Sequence, residues 1–190
     1  MSYPYLCLKS NYFESKKYHL TPLSNDHIES IRIWRNKQKD VLRQNQNIQK
    51  TEQITYFKKN IWPQSKILKP NNILMGFFHM NKLIGYGGLV HISWENRRAE
   101  VSFLLDDSRV KQLDLYEFEF SIFLNLIRQL AFQDLKLNKI FTETFDFRKK
   151  HIEILEKNSF YIEGRLKSHV CCNGKFVDSL IHGAFNNYER

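Results

Sequence analysis

Cysteine is scarce in this chain, and cysteine-based metal motifs are missing. Three cysteines occur among 190 residues, and two of them, Cys171 and Cys172, are adjacent. Because the sequence contains neither a CxxC pair nor a Cys/His spacing typical of metal sites, we expect no bound metal. The odd cysteine count and the lack of a signal-peptide pattern favour a reducing, cytoplasmic location over a disulfide framework.

Long apolar runs and blocks of like charge are also missing. No apolar stretch approaches the roughly 18 residues that a bilayer-spanning helix requires, so we expect no membrane span. Lysine and arginine outnumber aspartate and glutamate by 29 to 20, which gives a net charge of +9. These charges are scattered along the chain, which argues against a nucleic-acid-binding tail. A basic surface of this kind is either merely solvated or suited to an anionic partner, which would be a phosphorylated cofactor, nucleic acid or a membrane surface.

The rest of the composition is that of one globular domain. Apolar residues make up 42% of the chain and aromatic residues 14%, with fifteen phenylalanines and nine tyrosines. A chain of this size can bury roughly 70% of its unfolded surface, so a substantial core is expected.

Hydrophobic periodicity predicts a chain in which strands and helices mix. Apolar runs and alternating patterns predict strands at 18–23, 73–79, 83–94, 99–105, 139–145, 160–170 and 175–184. Apolar residues at helical spacing predict helices at 26–35, 51–61, 113–136 and 148–158. Three strands follow one another between residues 73 and 105, which indicates antiparallel hairpins. We therefore predict an α+β, or mixed α/β, fold with a mostly antiparallel sheet.

The most informative stretch is the predicted hairpin at residues 83–105. Its first strand is apolar on both faces, which suits the middle of a sheet that is covered on both sides. Gly85, Gly87 and Gly88 lie in that strand, where glycine often marks a bulge or a close approach of backbone or ligand. The second strand carries Glu100 near its start, and a carboxylate beside a buried sheet is unfavourable unless it is paired or used.

Three segments of the sequence, and the order of its elements, resemble the GNAT superfamily of acyl-CoA-dependent N-acyltransferases. LTPLSND at residues 20–26, with a helix ending in Trp34-Arg35-Asn36, resembles the opening of the ribosomal-protein-acetyltransferase-like branch. The glycine strand with AEVSFLL resembles the third and fourth strands of the superfamily. KIFTETFDFRKKHIEILEKNSF at residues 139–160 resembles its fifth strand, fourth helix and sixth-strand entry. Within the superfamily, the sequence is most similar to acetyltransferases of cell-surface amino-sugar pathways.

The similarity spans about residues 18–185, which would form the N-acetyltransferase domain. Residues 1–17 are then an N-terminal extension and residues 186–190 a C-terminal tail. The resemblance implies a twisted, mostly antiparallel sheet with helices on both faces. It also implies that this sheet splits between the superfamily's fourth and fifth strands, here 99–105 and 139–145.

The resemblance further implies acetyl-CoA as co-substrate, lying in this split. Its pantetheine arm would pair with the backbone of the first of these strands, and its pyrophosphate would lie at the start of the long helix. The strand residues concerned are Val101, Ser102, Phe103, Leu104 and Leu105. The other residues predicted to contact the donor are Arg109, Lys111, Asp146 and Arg148, although Arg148 also fits a solvated charge run.

The sequence departs from the superfamily pattern around the donor. The pyrophosphate loop usually contains glycines, whereas the segment from Asp106 to Gln112 has none. Backbone amides at a helix N-terminus can still hold phosphate, but Asp106 and Asp107 oppose it. Leu155 stands where many members have a tyrosine that protonates the leaving thiolate, and Ser159 stands where they have a glycine.

Direct acyl transfer to an amine requires a base but no enzyme nucleophile. Glu100 is the leading candidate base, acting directly or through a water, because a partly desolvated glutamate suits proton abstraction. A rim carboxylate paired with Arg97 or Arg98 is the alternative interpretation. His91 on the neighbouring strand is the second candidate, since histidines commonly act as bases, and a structural histidine fits equally well.

The first helix and the loop after it often shape the acceptor pocket in this superfamily. The residues predicted to contact the acceptor are Trp34, Arg35, Asn36, Arg43 and Trp94. If the acceptor is a nucleotide sugar, Arg35 or Arg43 could contact its phosphates. Alternatively, Trp34 is a core residue and Arg35 an exposed charge at the helix end. The opposite wall could come from the last hairpin, through His169, Cys171 and Asp178.

Together these observations predict an N-acetyltransferase that moves an acetyl group from acetyl-CoA to a primary amine in a ternary complex. The favoured acceptor is a small, nucleotide-linked amino sugar. A protein N-terminal acetyltransferase of the ribosomal-protein type is the nearest alternative, followed by a non-catalytic GNAT-like binding protein. An RNA-binding module ranks last, because no aromatic–basic single-strand motif is present. We expect neither nucleic acid nor a membrane as partner, and both a monomer and a homodimer stay open.

Overall fold

The structure, a computed structural model, describes residues 2–186. Of the predicted tail at 186–190, all but Asn186 lies outside the described residues. The strands are β1 (Phe13–Ser15), β2 (Tyr18–Pro22), β3 (Ile73–His79), β4 (Lys82–Ser93), β5 (Arg98–Leu105), β6 (Lys139–Phe145), β7 (Tyr161–Cys172) and β8 (Lys175–Phe185). The helices are α1 (Ile28–Lys37), α2 (Lys50–Tyr56), α3 (Asp107–Val110), α4 (Leu113–Arg128) and α5 (Lys149–Lys157).

The described strands form one sheet in the order β1-β2-β3-β4-β5-β6-β8-β7. Within it, β5 and β6 are parallel, and the other neighbouring pairs are antiparallel. The parallel pairing starts at Arg98↔Lys139 and ends at Glu100↔Phe141, after three residue pairs. Beyond Glu100 the two strands separate, while β5 stays paired with β4 as far as Leu105. The predicted split in a mostly antiparallel sheet is therefore confirmed.

The glycines of β4 stand where the neighbouring backbone leaves no space for a side chain. A Cβ atom on Gly88 would lie 1.9 Å from the carbonyl oxygen of Ile73, and Gly88 has a φ of +151°. The strand then bulges between Val90 and Ser93, where His91 adopts a φ of 51°. The glycines thus mark a close approach of strands and the bulge follows them, as the sequence pattern predicted.

Apolar side chains cover both faces of the sheet. On one face, α4 buries a stripe of residues at helical spacing, so that Phe120, Phe123, Leu124 and Ile127 are at most 1% exposed. On the other face, α1 and α2 form a second cluster with the strand residues whose side chains point to that side of the sheet. Ile31 and Phe57 belong to this cluster. This two-sided burial is the main stabilising contribution to the fold.

The N-terminal segment packs onto the sheet through Tyr5, Leu8 and Phe13, which are at most 8% exposed. Residues Phe13–Ser15 pair with β2 and form the edge strand β1. Hydrophobic periodicity did not predict this strand, because three residues are too few to show a period.

Two of the predicted helices end in π-helical turns. α2 continues through such a turn at Phe57–Ile61, and α4 continues through one at Gln129–Asp134. With these turns included, the predicted ranges 51–61 and 113–136 match the structure to within two residues. Among the described residues, no helix combines the length and the apolar character that crossing a bilayer requires.

Candidate active site

The separating halves of β5 and β6 leave a cleft of about 560 Å³ in the sheet. Its walls come from β4, β5 and β6, from α4 and α5, and from the loop between α1 and α2. The backbone of β5 beyond Glu100 has no β6 partner there, so it is available to an extended ligand. Eight of the residues predicted for the site line this cleft: Arg35, Arg43, His91, Glu100, Val101, Ser102, Phe103 and Arg148.

Glu100 and His91, the two candidate bases, contact one another at the rim of the cleft. Nδ1 of His91 lies 2.8 Å from Oε2 of Glu100. The Glu100 side chain is 19% exposed and the His91 side chain 72%, so the imidazole connects the carboxylate to solvent. In a regular strand, side chains alternate, and His91 would point away from the face that its neighbour Val90 shares with Glu100. The bulge in β4 turns it back.

A second carboxylate, Glu143, stands on the β6 side of the cleft and is 13% exposed. One oxygen, Oε2, forms an ion pair with Arg43 from the loop between α1 and α2. The other oxygen, Oε1, is buried and has no hydrogen-bond partner among the described residues. Burial acts to raise the pKa of Glu143, but Arg43, the nearby hydroxyl of Ser179 and the charge of His169 together hold the pKa below its ordinary value. The carboxylate is therefore ionised at neutral pH.

A buried histidine lines the inner end of the cleft, where the first turn of α5 meets α4. Nδ1 of His151 lies 2.5 Å from the hydroxyl of Tyr116 and 3.4 Å from Nη2 of Arg148. The imidazole stacks on Phe120 with 4.4 Å between ring centroids. Burial, reinforced by the charge of Arg148, places the pKa of His151 well below 6.5, so the ring is neutral. Because Arg148 can only donate, we assign Nδ1 as the acceptor and the ring proton to Nε2.

Arg148 has a property that suits an anionic ligand. Its guanidinium lines both the central cleft and an adjoining cavity of about 390 Å³ at the start of α4. Within residues 2–186, no carboxylate lies within ion-pair distance of it, and burial lowers its pKa. A cation in such a position gains a partner when a phosphate or a thiolate enters.

The two basic residues predicted for the pyrophosphate lie outside the cleft. Arg109 donates from Nε to Oε2 of Glu119 at 2.7 Å, and Glu119 is fully buried in α4. Tyr18 donates to the other oxygen of the same carboxylate at 3.2 Å. Lys111 is 77% exposed and lies 3.6 Å from Asp107. The structure thus makes Arg109 the partner of a buried carboxylate, which sequence spacing did not indicate, and gives no support to its phosphate role.

Three further residues predicted for the donor site face elsewhere. Leu104 and Leu105 are at most 5% exposed and pack into the two cores. The carbonyl of Leu105 accepts a 2.7 Å hydrogen bond from Gln38, so that end of β5 already has a partner. Asp146 pairs with Arg165 at 3.1 Å. The donor strand that the cleft presents is therefore shorter than predicted and covers Val101 to Phe103.

Three of the residues predicted for the acceptor do not reach the cleft. Trp34 belongs to the core beneath α1, because helical spacing places it on the buried face with Ile31. Asn36 binds the backbone of Ile48 at 3.0 Å and shapes the loop after α1. Trp94 donates to the carbonyl of Pro70 at 2.9 Å and packs against the other core. These assignments are corrected, since all three are structural.

Arg35 from the last turn of α1 and Arg43 from the loop after it, in contrast, line the cleft. Arg35 donates to the hydroxyl of Tyr86 at 3.0 Å and to Oε1 of Gln44 at 3.1 Å, which holds its guanidinium in place. Arg43 is 52% exposed, and its bond to Glu143 spans the opening between the loop and β6.

Sequence reasoning missed Glu143, Tyr116 and His151. Glu143 had a signal, because it is the one carboxylate within the strand KIFTETF. His151 had a weaker signal, since its spacing to Ile154 and Leu155 places it on the buried face of α5. Nothing local marked Tyr116, whose partner is 35 residues away in the chain.

A sheet that opens between two parallel strands is the arrangement expected from the resemblance to acyl-CoA-dependent N-acyltransferases. The chain belongs to the GNAT acetyltransferase family, because the sequence profile described as "Acetyltransferase (GNAT) domain" matches residues 21–181. It is an N-acetyltransferase, an enzyme that transfers an acetyl group from a CoA thioester. No curated protein sequence shows a significant match to it.

Several solved structures share this fold. The chain superposes on spermidine N-acetyltransferase from Vibrio cholerae, in complex with CoA and spermine, with a TM-score of 0.77 and 17% identity. That match covers 90% of this chain and 97% of the other. A ribosomal L7/L12 alpha-N-protein acetyltransferase, in complex with coenzyme A, gives a TM-score of 0.74 at 14% identity, covering 92% and 97%. At these identities the matches establish the fold alone.

Proposed function

We propose that this enzyme acetylates the primary amine of a small amino sugar, with a nucleotide-linked sugar as the favoured acceptor, by direct transfer from acetyl-CoA. The main observation in support of direct transfer is the contact between Glu100 and His91, whose side chains lie 2.8 Å apart at the opening between β5 and β6. It supplies a carboxylate that is mostly shielded from water and a route from that carboxylate to solvent.

In the proposed reaction, Glu100 removes a proton from the ammonium group of the acceptor, and His91 passes it to solvent. The neutral amine attacks the thioester carbonyl carbon, so that a C–N bond forms and the C–S bond breaks. The amide nitrogen loses its second proton, and the CoA sulfur leaves as a thiolate, which is a workable leaving group because thiol pKa values are roughly 8.5. One proton is taken up by the product thiol and one is released.

The residues of the cleft fit acetyl-CoA as the donor. The unpaired β5 edge from Val101 to Phe103 can bond an extended pantetheine arm, as one strand bonds another. Arg148, at the junction of the two cavities, is placed to meet the negative charge of the donor. Leu155 is fully buried in the core and contributes no proton to the departing sulfur.

The wider proposal is a cytoplasmic enzyme that acts as a monomer or homodimer. Its three cysteines are free thiols, as a reducing compartment would keep them. Sedimentation of the purified protein would distinguish the two oligomeric states.

A CoA titration followed by thermal denaturation, and then an amine panel, tests the proposed function. We expect CoA to raise the melting temperature in a saturable way. Release of free thiol should then be fastest with a nucleotide-linked amino sugar, compared with an N-terminal peptide and spermidine. Faster turnover of the peptide would make the enzyme a protein N-terminal acetyltransferase. CoA binding without thiol release on any amine would make it a binding protein.

A further inference from the structure

The acceptor side of the cleft contains a carboxylate that the proposed reaction does not use. Glu100 is paired in register with Phe141, and side chains alternate along a strand, so Glu143 shares the face of Glu100. The two carboxylates therefore stand on either side of the opening. Glu100 has its own partner in His91, which leaves Glu143 for another task.

Glu143 is only half satisfied by the protein. Its Oε2 is paired with Arg43, whereas its buried Oε1 makes no hydrogen bond of good geometry in the described part of the chain, although the hydroxyl of Ser179 is near enough to help lower the pKa of the carboxyl. The nearest cationic candidate is Nε2 of His169, and its distance of 3.8 Å is too long for a hydrogen bond. Glu143 lines the cleft, and its ion-pair partner there is the half-exposed Arg43. An ammonium group in the cleft can therefore pair with this carboxylate when Arg43 turns to another anion.

Arg43 is well placed to exchange its partner. It belongs to an irregular loop, its side chain is 52% exposed, and ion pairs of such side chains are weak. It also lines a second cavity of about 570 Å³, which the loop forms with the hairpin of β7 and β8. The guanidinium thus lies between the central cleft and a space that can hold the rest of an acceptor.

We propose that Glu143 binds the ammonium group of the acceptor and that Arg43 binds an anionic group of the same molecule. The acceptor is then an amine that carries a phosphate or a carboxylate, with its remaining part in the second cavity. This inference rests on the proposed function and names the residues that select the acceptor.

The charges explain why both groups of the acceptor are needed. Without an acceptor, Arg43 neutralises Glu143. An amine without an anion brings one positive charge to a site that already has its counter-ion, and Arg43 repels it. An amine that carries an anion satisfies both side chains at once, so recognition is by charge pattern and not by positive charge alone.

The test compares three acceptors that share one amine: glucosamine, glucosamine 1-phosphate and a carboxylated glucosamine. Equilibrium binding is measured in the presence of CoA, and kcat and KM are measured with acetyl-CoA, for wild type, Arg43→Gln and Glu143→Gln. Lys157→Gln is the matched control, because Lys157 is also 52% exposed and ion-paired but lies on α5 outside the cleft. Comparison of the phosphate and the carboxylate identifies which anion the site prefers.

We expect wild type to bind the better of the two anionic acceptors at least about tenfold more tightly than glucosamine. Arg43→Gln should raise KM and Kd about tenfold for the anionic acceptors and should lower those for glucosamine, because the variant no longer repels the ammonium group. Glu143→Gln should weaken all three acceptors, with an unchanged pH profile of kcat because Glu143 is not the base.

Equal binding of all three acceptors by wild type would overturn the inference, as would an equal effect of Arg43→Gln on every acceptor. The second result would show that the ion pair of Arg43 and Glu143 only holds the loop in place. If no amine is acetylated but binding of the anionic acceptors depends on Arg43, the proposed function fails and the inference stands. If turnover occurs and Arg43→Gln changes nothing, the inference fails and the proposed function stands.

Discussion

Nδ1 of His91 and Oε2 of Glu100 lie 2.8 Å apart, although the two residues are on different strands and one of them is 72% exposed. The contact depends on a single irregularity, the bulge after Val90, where His91 has a φ of 51°. Non-glycine residues seldom adopt this conformation, and bulges often re-aim a side chain next to an active site. The pair therefore provides the clearest starting point for tests of the reaction.

Replacing Glu100 with glutamine should remove the base while keeping the shape of the cleft. We expect kcat to fall by at least about tenfold, because a positioned base contributes roughly 100- to 10,000-fold to such a step. Binding of CoA, measured by calorimetry, should persist. Unchanged turnover in this variant would exclude Glu100 from the mechanism.

The contact between the two residues also predicts that their substitutions are not additive. If His91 acts through Glu100, His91→Gln alone should lower kcat by roughly threefold, and it should have no further effect beyond about twofold in the Glu100→Gln background. Steady-state kinetics of the two single variants and the double variant measure this coupling. Independent, multiplying effects would show that His91 does not act through Glu100.

The buried pair of Glu119 and Arg109 predicts a loss of stability that is separate from catalysis. Glu119 is fully buried and also accepts from Tyr18. Glu119→Gln would leave Arg109 with an uncompensated charge, and we expect the free energy of unfolding to fall by about 3 kcal/mol. Denaturant unfolding measures this change. Glu153→Gln, which alters an exposed pair on α5, is the control and should show no measurable loss.

The neutral state of His151 predicts a loss of stability in mild acid. Burial and Arg148 lower its pKa in the folded chain, so the unfolded chain binds the additional proton as the pH falls. Stability should therefore decrease below about pH 6.5, by up to roughly 1.4 kcal/mol per pH unit from this residue. Between about pH 7 and pH 5, the free energy of unfolding should decrease less steeply with falling pH for His151→Gln than for wild type.

Burial also lowers the pKa of His182, a residue that both proteins contain. The test therefore compares the pH dependence of the unfolding free energy in wild type with that in His151→Gln. Parallel curves for wild type and His151→Gln would show that His151 does not remain neutral in the folded protein.

Gly88 offers a test of the close strand packing next to the site. A Cβ atom there would meet the carbonyl oxygen of Ile73 at 1.9 Å, and φ is +151°. Gly88→Ala should destabilise the protein by at least about 3 kcal/mol, because strain and overpacking add. Thermal denaturation measures this change, and Gly164→Ala is the control, since nothing lies within 4 Å of its added Cβ. Equal melting temperatures would contradict the packing of β3 against β4.

Most of the fold could be predicted from local patterns. The strands at 73–79 and 139–145 were predicted with the bounds that the structure shows for β3 and β6. Their apolar runs end at polar turns, so periodicity is enough to place them. The missed strand β1 and the buried Tyr5 and Leu8 show the limit, because short segments pack through contacts that are distant in the sequence.

The site could be predicted only in part, for the same reason. Glu100, His91 and the β5 residues Val101 to Phe103 line one cleft, as predicted, because they lie in one hairpin of continuous sequence. Trp34 and Trp94 were assigned to the acceptor, but they belong to the cores, since aromatic residues give no local sign of which side they pack on.

The sequence by itself determined the order of the elements, the family, the glycine strand and the carboxylate that follows it. Tertiary structure decided which charges meet. Arg109 turned inward to Glu119 and away from the donor, while Arg43 paired with Glu143, a hundred residues further along the chain. Local periodicity depends on the backbone geometry of a few residues, whereas ion pairs depend on distances between separate elements. Those distances exist only once the two cores have packed and β5 has separated from β6.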